Sequence, residues 1–284
     1  MATVTVRGHE IHYVEAGPAD APALLLLHGF PTSSRMFRDL IPRLAGRYRV
    51  VAPDHLGFGR SATPDASSFP YTFAELAELT AEFTTAVGLD RFAVYVQDYG
   101  APIGLRLALA HPERVTAIVT QNGNAYEEGL GAEAWAPVLA YLADPGEKTA
   151  GPVREIRSLE GIRWQYENGV PDAYRDRLDP AAWEQDAADM AREGQDAIQL
   201  ALMGDYGSNI ELYPAFHAYF RASQVPLLAV WGAHDEVFVR AGATAFLRDL
   251  PEAEVHLLPT GHFALETHAE QIAALMDDFL QRHI

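Results

Sequence analysis

The sequence predicts an α/β fold on a mostly parallel sheet, with a helical segment inserted late in the strand series. Three observations predict it. The runs "ALLLLHG" (23–29), "RVVAPD" (49–54), "FAVYVQD" (92–98) and "VTAIVTQNG" (115–123) are continuously apolar, as strands buried on both faces are. Helix-period segments separate them, which requires crossovers between parallel strands. The alternation stops after Gly123 and resumes at "VPLLAVWG" (225–232).

Taken in order, the chain opens with two alternating stretches, around 3–7 and 10–15, with Gly8 between them as a hairpin turn. Helices are predicted over 33–45, with Ser33 or Ser34 as N-cap, over 72–87, and over 100–110. The second has Thr72 as cap with Glu75 three residues on, the spacing of a capping box. Residues 124–222 are rich in Trp, Tyr, Asp, Ala and Pro, helical in pieces and without a buried-strand run. A helix over 240–249, a strand over 253–259 and a closing helix over 268–281 complete the series. The expected organisation is a core of 1–123 and 223–284, interrupted by a helical cap over 124–222.

Composition narrows the function. The 284 residues can bury a large core, and the balance of 49% hydrophobic and 21% charged residues is that of a globular protein. A net charge of −18 disfavours nucleic acid and anionic membranes, both of which attract basic surfaces. No apolar run reaches the roughly 18–20 residues that span a bilayer. The N-terminus alternates like a strand and carries no signal-peptide core, so a cytoplasmic protein is expected. With no cysteine, disulfides and thiolate metal sites are excluded. Neither a metal site nor a nucleotide cradle is apparent, and no cofactor is expected; the glycines of "HLGFGRS" read as a tight loop. The expected partners are a small apolar substrate and water, in a monomer or homodimer.

In open parallel sheets function gathers at the carboxyl ends of strands. Four features fall there: His28-Gly29-Phe30-Pro31, Asp98-Tyr99-Gly100, Asp235 in "WGAHDE" and His262 in "PTGHFALE". Gly100 and Ala101 permit a sharp strand-to-helix turn that exposes the Asp98 side chain. N-capping would account for an acid at 98, but not for the HGFP loop and the downstream Asp and His.

These stretches resemble the α/β-hydrolase family, and within it the branch with an aspartate nucleophile, the epoxide hydrolases and haloalkane dehalogenases. "HGFP", "PDHLGFGRS" (53–61), "VQDYGAPIGLRLALAHPERV" (96–115), "WGAHDEVF" (231–238) and "GHFALE" (261–266) occur in that family's order and spacing, and G-x-S-x-G is absent. The resemblance implies an α/β-hydrolase fold, a mostly parallel central sheet flanked by helices with an inserted helical cap.

The resemblance also implies roles. Asp98 would be the nucleophile. A carboxylate is ionised at neutral pH, displaces a leaving group from saturated carbon, and leaves an ester that water can cleave. His262 would be the general base for that water, and Asp235, 27 residues upstream, would fix its tautomer. Glu127 and Glu128 are an alternative source of the triad acid, since some dehalogenases take it from that loop. The backbone N–H groups of Phe30 and Tyr99 would form the oxyanion hole, and His28 would orient the loop.

The leaving group separates two chemistries. Dehalogenases of this branch usually place Trp after the nucleophile and a nitrogen donor at the third position of HGxP, where this chain has Tyr99 and Phe30. Epoxide hydrolases use two cap tyrosines, for which "GDYGSN" and "RWQYENGVPD" offer Tyr206 and Tyr166, with Trp164 as a possible halide donor. Epoxide hydrolysis is the leading expectation and dehalogenation of a haloalkane or haloacid the alternative. A non-catalytic ligand-binding protein on the same fold is the alternative of another class, against which the complete Asp98, Asp235, His262 set counts.

Overall fold

The computed structural model describes residues 1–284. Its sheet has eight strands in the order β1-β2-β4-β3-β5-β6-β7-β8, and is parallel from β4 onwards. The strands are β1 (Ala2–Val6), β2 (His9–Ala16), β3 (Ala23–Leu27), β4 (Arg49–Pro53), β5 (Phe92–Gln97), β6 (Val115–Gln121), β7 (Leu227–Gly232) and β8 (Glu254–Leu258). β1 and β2 form the expected hairpin. Arg7 (φ 49°) and Gly8 (φ 82°) both take the left-handed conformation that a two-residue hairpin turn requires. The Arg7 guanidinium reaches Glu75, Glu78 and Glu82 on the neighbouring helix, which anchors this otherwise unfavourable turn residue.

The helices are α1 (Ile41–Leu44), α2 (Phe73–Ala86), α3 (Gly100–Ala110), α4 (Ala132–Ala143), α5 (Glu147–Ile156), α6 (Leu159–Glu167), α7 (Pro180–Met190), α8 (Gln195–Asp205), α9 (Gly207–Ser223), α10 (Arg240–Ala245) and α11 (Ala264–His283). α2 and α3 start as predicted, and the Thr72 hydroxyl accepts from Glu75 N (3.1 Å). The predicted 33–45 helix is instead a 3-10 turn (Ser34–Phe37), capped by Ser33, followed by the short α1. Pro42 explains the break: it has no N–H to continue the ladder and tolerates only a first helical turn. The helix predicted over 240–249 tightens to a 3-10 turn after Ala245, and the closing helix predicted from 268 follows a kink at His268 (φ −131°, ψ 26°), with a short helical turn from Ala264 ahead of it.

α3 packs against β3 and β5, and α11 runs along β6 and β7. Because β3 lies between β4 and β5, the chain leaves β3 to one side and returns on the other. The loops after β3 and β5 therefore diverge and leave a crevice at their carboxyl ends. The chain between β6 and β7 carries α4–α9 across that crevice. Direct hydrogen bonds fasten it: Phe73 N to Asp205 Oδ2 (2.8 Å), Gln195 Nε2 to Gly57 O (2.6 Å), Arg192 Nη1 to Gly59 O (2.9 Å), Arg35 Nη2 to Ala182 O (2.6 Å) and Arg177 Nη1 to Thr267 O (2.7 Å). Arg106, on α3, reaches Ser208 (3.0 Å) and Asn209 of α9. No helix is long and apolar enough to cross a membrane.

Candidate active site

β5 ends at Gln97 and α3 begins at Gly100, so the chain reverses direction within two residues. Asp98 absorbs the turn at φ 46°, a left-handed conformation disfavoured for any residue with a Cβ. The strain aims its carboxylate into the crevice. Phe30 N (2.7 Å) and Tyr99 N (2.6 Å) both donate to Asp98 Oδ1, leaving Oδ2 free of them. The two backbone groups expected to form an oxyanion hole thus converge on one carboxylate oxygen.

Asp98 Oδ2 lies 3.8 Å from His262 Nε2. On the far side of the ring, Nδ1 donates to Asp235 Oδ2 (2.8 Å). Asp235 is itself held by Val237 N on Oδ1 (2.7 Å) and by Asn122 Nδ2 on Oδ2 (2.7 Å). All three side chains are buried. Burial pushes the Asp98 carboxyl up, and the facing His262 and two N–H donors offset this only in part. For His262, burial works to lower the basicity, but the Asp235 charge and hydrogen bond, with Asp98 added, raise it above the ordinary histidine value. A desolvated carboxylate facing an imidazole with an anion behind it is equipped for nucleophilic attack followed by base-assisted hydrolysis.

The other assignments divide. His28 donates from Nδ1 to Gly29 O (2.9 Å) and accepts His55 N on Nε2 (3.0 Å). Burial lowers it to about 4, so it is a neutral brace for the loop. Glu127 and Glu128 do not reach His262: both are exposed, Glu128 pairs with Arg248, and Asp235 already occupies Nδ1. The β6 loop nonetheless contributes, through Asn122 rather than an acid.

A cavity of about 290 Å³ opens over Asp98, lined by Phe30, Tyr99, Trp135, Trp164 and Met203 among others. Trp164 stands in its wall but is 41% exposed. Tyr206 is buried, its ring 6.3 Å from that of Tyr99. Its phenol faces the Tyr213 hydroxyl and stands behind the residues that line the cavity, in ring contact with Tyr99 and Trp135; burial, Tyr213 and the Asp98 charge all hold it protonated. Tyr166 is not in the cavity wall. Its ring stacks on Phe263 (4.1 Å) and its hydroxyl donates to Asp186 Oδ2 (2.5 Å), so the structure does not bring it to Asp98 as a leaving-group donor.

The sequence reading missed three groups. The Gln97 amide and the Asn122 side chain touch the triad directly. The Tyr99 hydroxyl is buried without a partner among the rings of Phe58, Phe73 and Tyr206. The available signal was a polar residue closing an otherwise apolar strand, in "YVQD" and "VTQN".

The Tyr166 contact carries a prediction of its own. Burial pushes the Asp186 carboxyl to about 7, with the Tyr166 hydrogen bond and Arg35 pulling it down and Asp189 and Glu266 pushing it up. A folded-state value above the ordinary 3.8 means stabilisation that is complete below that value and lost as pH rises through about 7. Asp186→Asn keeps an acceptor for Tyr166 and removes the buried charge. It should therefore gain about 1–2 kcal/mol relative to wild type in going from about pH 5 to about pH 8.5. Urea unfolding at the two pH values measures this, and an equal difference at both would show that Asp186 does not titrate as expected.

A sequence profile of the alpha/beta hydrolase fold matches residues 22–269. The chain belongs to this family. Another hydrolase, the uncharacterized hydrolase YNR064C of Saccharomyces cerevisiae, is 46% identical over 285 residues, covering 96% of this chain and 97% of that one. The haloalkane dehalogenase of Mycobacterium marinum is 43% identical over 114 residues, which cover 40% of this α/β-hydrolase and 38% of the dehalogenase. Among solved structures, a loop variant of the haloalkane dehalogenase DbeA from Bradyrhizobium elkanii superposes with a TM-score of 0.76 at 23% identity, covering 99% of this chain and 97% of that one. At that identity the superposition speaks for the α/β-hydrolase fold alone.

Proposed function

We propose that this protein is a hydrolase that opens a small, uncharged, apolar epoxide to a diol through an ester on Asp98. Asp98 Oδ2 attacks a ring carbon in line, the carbon–oxygen bond breaks, and its electron pair goes to the departing oxygen, which takes a proton from the Tyr206 phenol. Water then attacks the ester carbonyl while His262 accepts its proton, and the N–H groups of Phe30 and Tyr99 hold the oxyanion. Collapse releases the diol and regenerates Asp98, and the proton on His262 restores the phenol through solvent. Epoxide and one water are consumed and one diol is formed.

One observation carries this reading: two buried phenols, Tyr99 and Tyr206, lie within the field of the Asp98 carboxylate and are held protonated, while the indole N–H groups of Trp135 and Trp231 are committed to the backbone carbonyls of Val237 and Phe238. A phenol can give a proton to an alkoxide; an indole N–H only solvates a halide. The cavity lining holds no cation and includes Glu133 and Glu155, which disfavours a haloacid. The helices over 124–222 would serve as a cap that excludes bulk water.

Haloalkane dehalogenation is the second reading, favoured by the partial sequence similarity to the Mycobacterium marinum enzyme and by Trp164 in the cavity wall. His262→Gln decides between them, because it should permit alkylation and block hydrolysis. Incubated with a panel of small epoxides and haloalkanes and weighed intact, the variant should gain the whole mass of an epoxide. A gain equal to a haloalkane less hydrogen halide would assign the protein to the dehalogenases, and no adduct with either panel would overturn the proposal.

A further inference from the structure

The base of the triad has a third partner. Gln97, the last residue of β5, is fully buried and directs its side-chain nitrogen to His262 Nε2 at 2.9 Å. Asp235, an acceptor only, takes the proton on Nδ1, so in the neutral ring Nε2 carries a lone pair. The contact is then an N–H donated by Gln97 into the lone pair that must receive the proton from water. With the amide reversed, two acceptors would face each other. Meanwhile Gln97 Oε1 is buried and has no partner, so nothing fixes the amide from its oxygen side.

We infer that Gln97 is a positioning residue that holds His262 in its base form by filling the Nε2 lone pair, and yields that position to the hydrolytic water once Asp98 is alkylated. The inference rests on His262 acting as the base in the proposed reaction. It follows from the proton count: an amide N–H facing Nε2 stabilises the neutral ring and repels a second proton there. The charged groups facing the ring are Asp235, from the loop after β7, and Asp98, from the β5–α3 turn; both favour the imidazolium. Phe238 and Phe263 flank it without charge. Gln97 is thus the group that opposes two carboxylates and keeps the base available near neutral pH. Because its oxygen has no partner, the amide swings away at the expense of the His262 contact alone.

Gln97→Met keeps length and burial and removes the N–H. Histidine-selective ¹⁵N labelling, with His262 assigned by its loss in His262→Gln, reads the ring directly in the substrate-free protein. The expected result is a bare Nε2 in neutral wild type and a His262 titration midpoint at least tenfold in proton concentration towards higher pH in Gln97→Met. Gln97→Leu, a smaller side chain, should move it in the same direction, which keeps the test open should one variant fold poorly. The acid limb of ester hydrolysis should shift with it. Midpoints that coincide in wild type and both variants would overturn the inference, as would a neutral ring protonated on Nε2. Failure of the covalent mechanism would show instead as a missing adduct in His262→Gln, with the titration unaffected.

Discussion

Asp98→Asn should lower turnover by about 10⁴-fold or more and, at neutral pH, raise the stability of the protein. The loss is chemical. An amide oxygen still accepts from Phe30 N and Tyr99 N, so the geometry persists, but no carboxylate remains to attack. The gain is electrostatic. Burial raises the Asp98 carboxyl above the ordinary 3.8, so the stability it lends is complete below that value and is lost as pH rises through its folded value. At neutral pH the charge is therefore a cost, and removing it should raise the thermal midpoint. Asparagine also tolerates the left-handed backbone at φ 46°. Initial rates and thermal unfolding at neutral pH check both halves. If the Asp98→Asn variant retains a hundredth of wild-type activity, or melts below wild type, this account of the nucleophile is contradicted.

Gly100→Ala should have the largest effect on the fold itself. A Cβ at position 100 would stand 2.3 Å from Leu27 O and 2.8 Å from Leu27 C, both backbone atoms at the end of β3. Neither can rotate aside, so α3 must move from the strand, at about 3 kcal/mol. The same shift displaces Asp98 from the Phe30 N–H, and a misplacement of about 1 Å costs about 10²-fold in rate. Gly204, inside α8, provides the contrast: its added Cβ would meet only Tyr141 Cε1 at 3.5 Å, an ordinary van der Waals contact, so Gly204→Ala should stabilise by about 0.5–1 kcal/mol. Denaturant titration of the pair tests the argument, which fails if Gly100→Ala unfolds with wild-type midpoint and slope.

Much of the architecture was legible because buried parallel strands leave a continuous apolar record. β3, β5, β6 and β7 are each nearly or wholly buried, and their sequences say so. Asp98 was legible for a related reason, since a polar residue closing such a run faces the crevice, whereas Asp235 and His262 lie in the loops after β7 and β8 and were legible only from the order and spacing of their motifs. Tyr166 was misread because a short helix of mixed composition does not reveal its phase. Whether its ring faces the cavity or Phe263 depends on packing against α11, and its partner Asp186 lies twenty residues on with no sequence relation to it. Gln97 was passed over as the residue before the nucleophile, since only the folded sheet shows that its amide meets a histidine 165 residues away.

The bonds that fasten α4–α9 to the core bear on how molecules enter and leave. Lifting the whole segment would break the contacts of Phe73, Arg35, Arg192, Gln195, Arg177 and Arg106 together. Access to Asp98 should therefore depend on side chains at the cavity wall, such as the half-exposed Trp164, rather than on displacement of the whole segment.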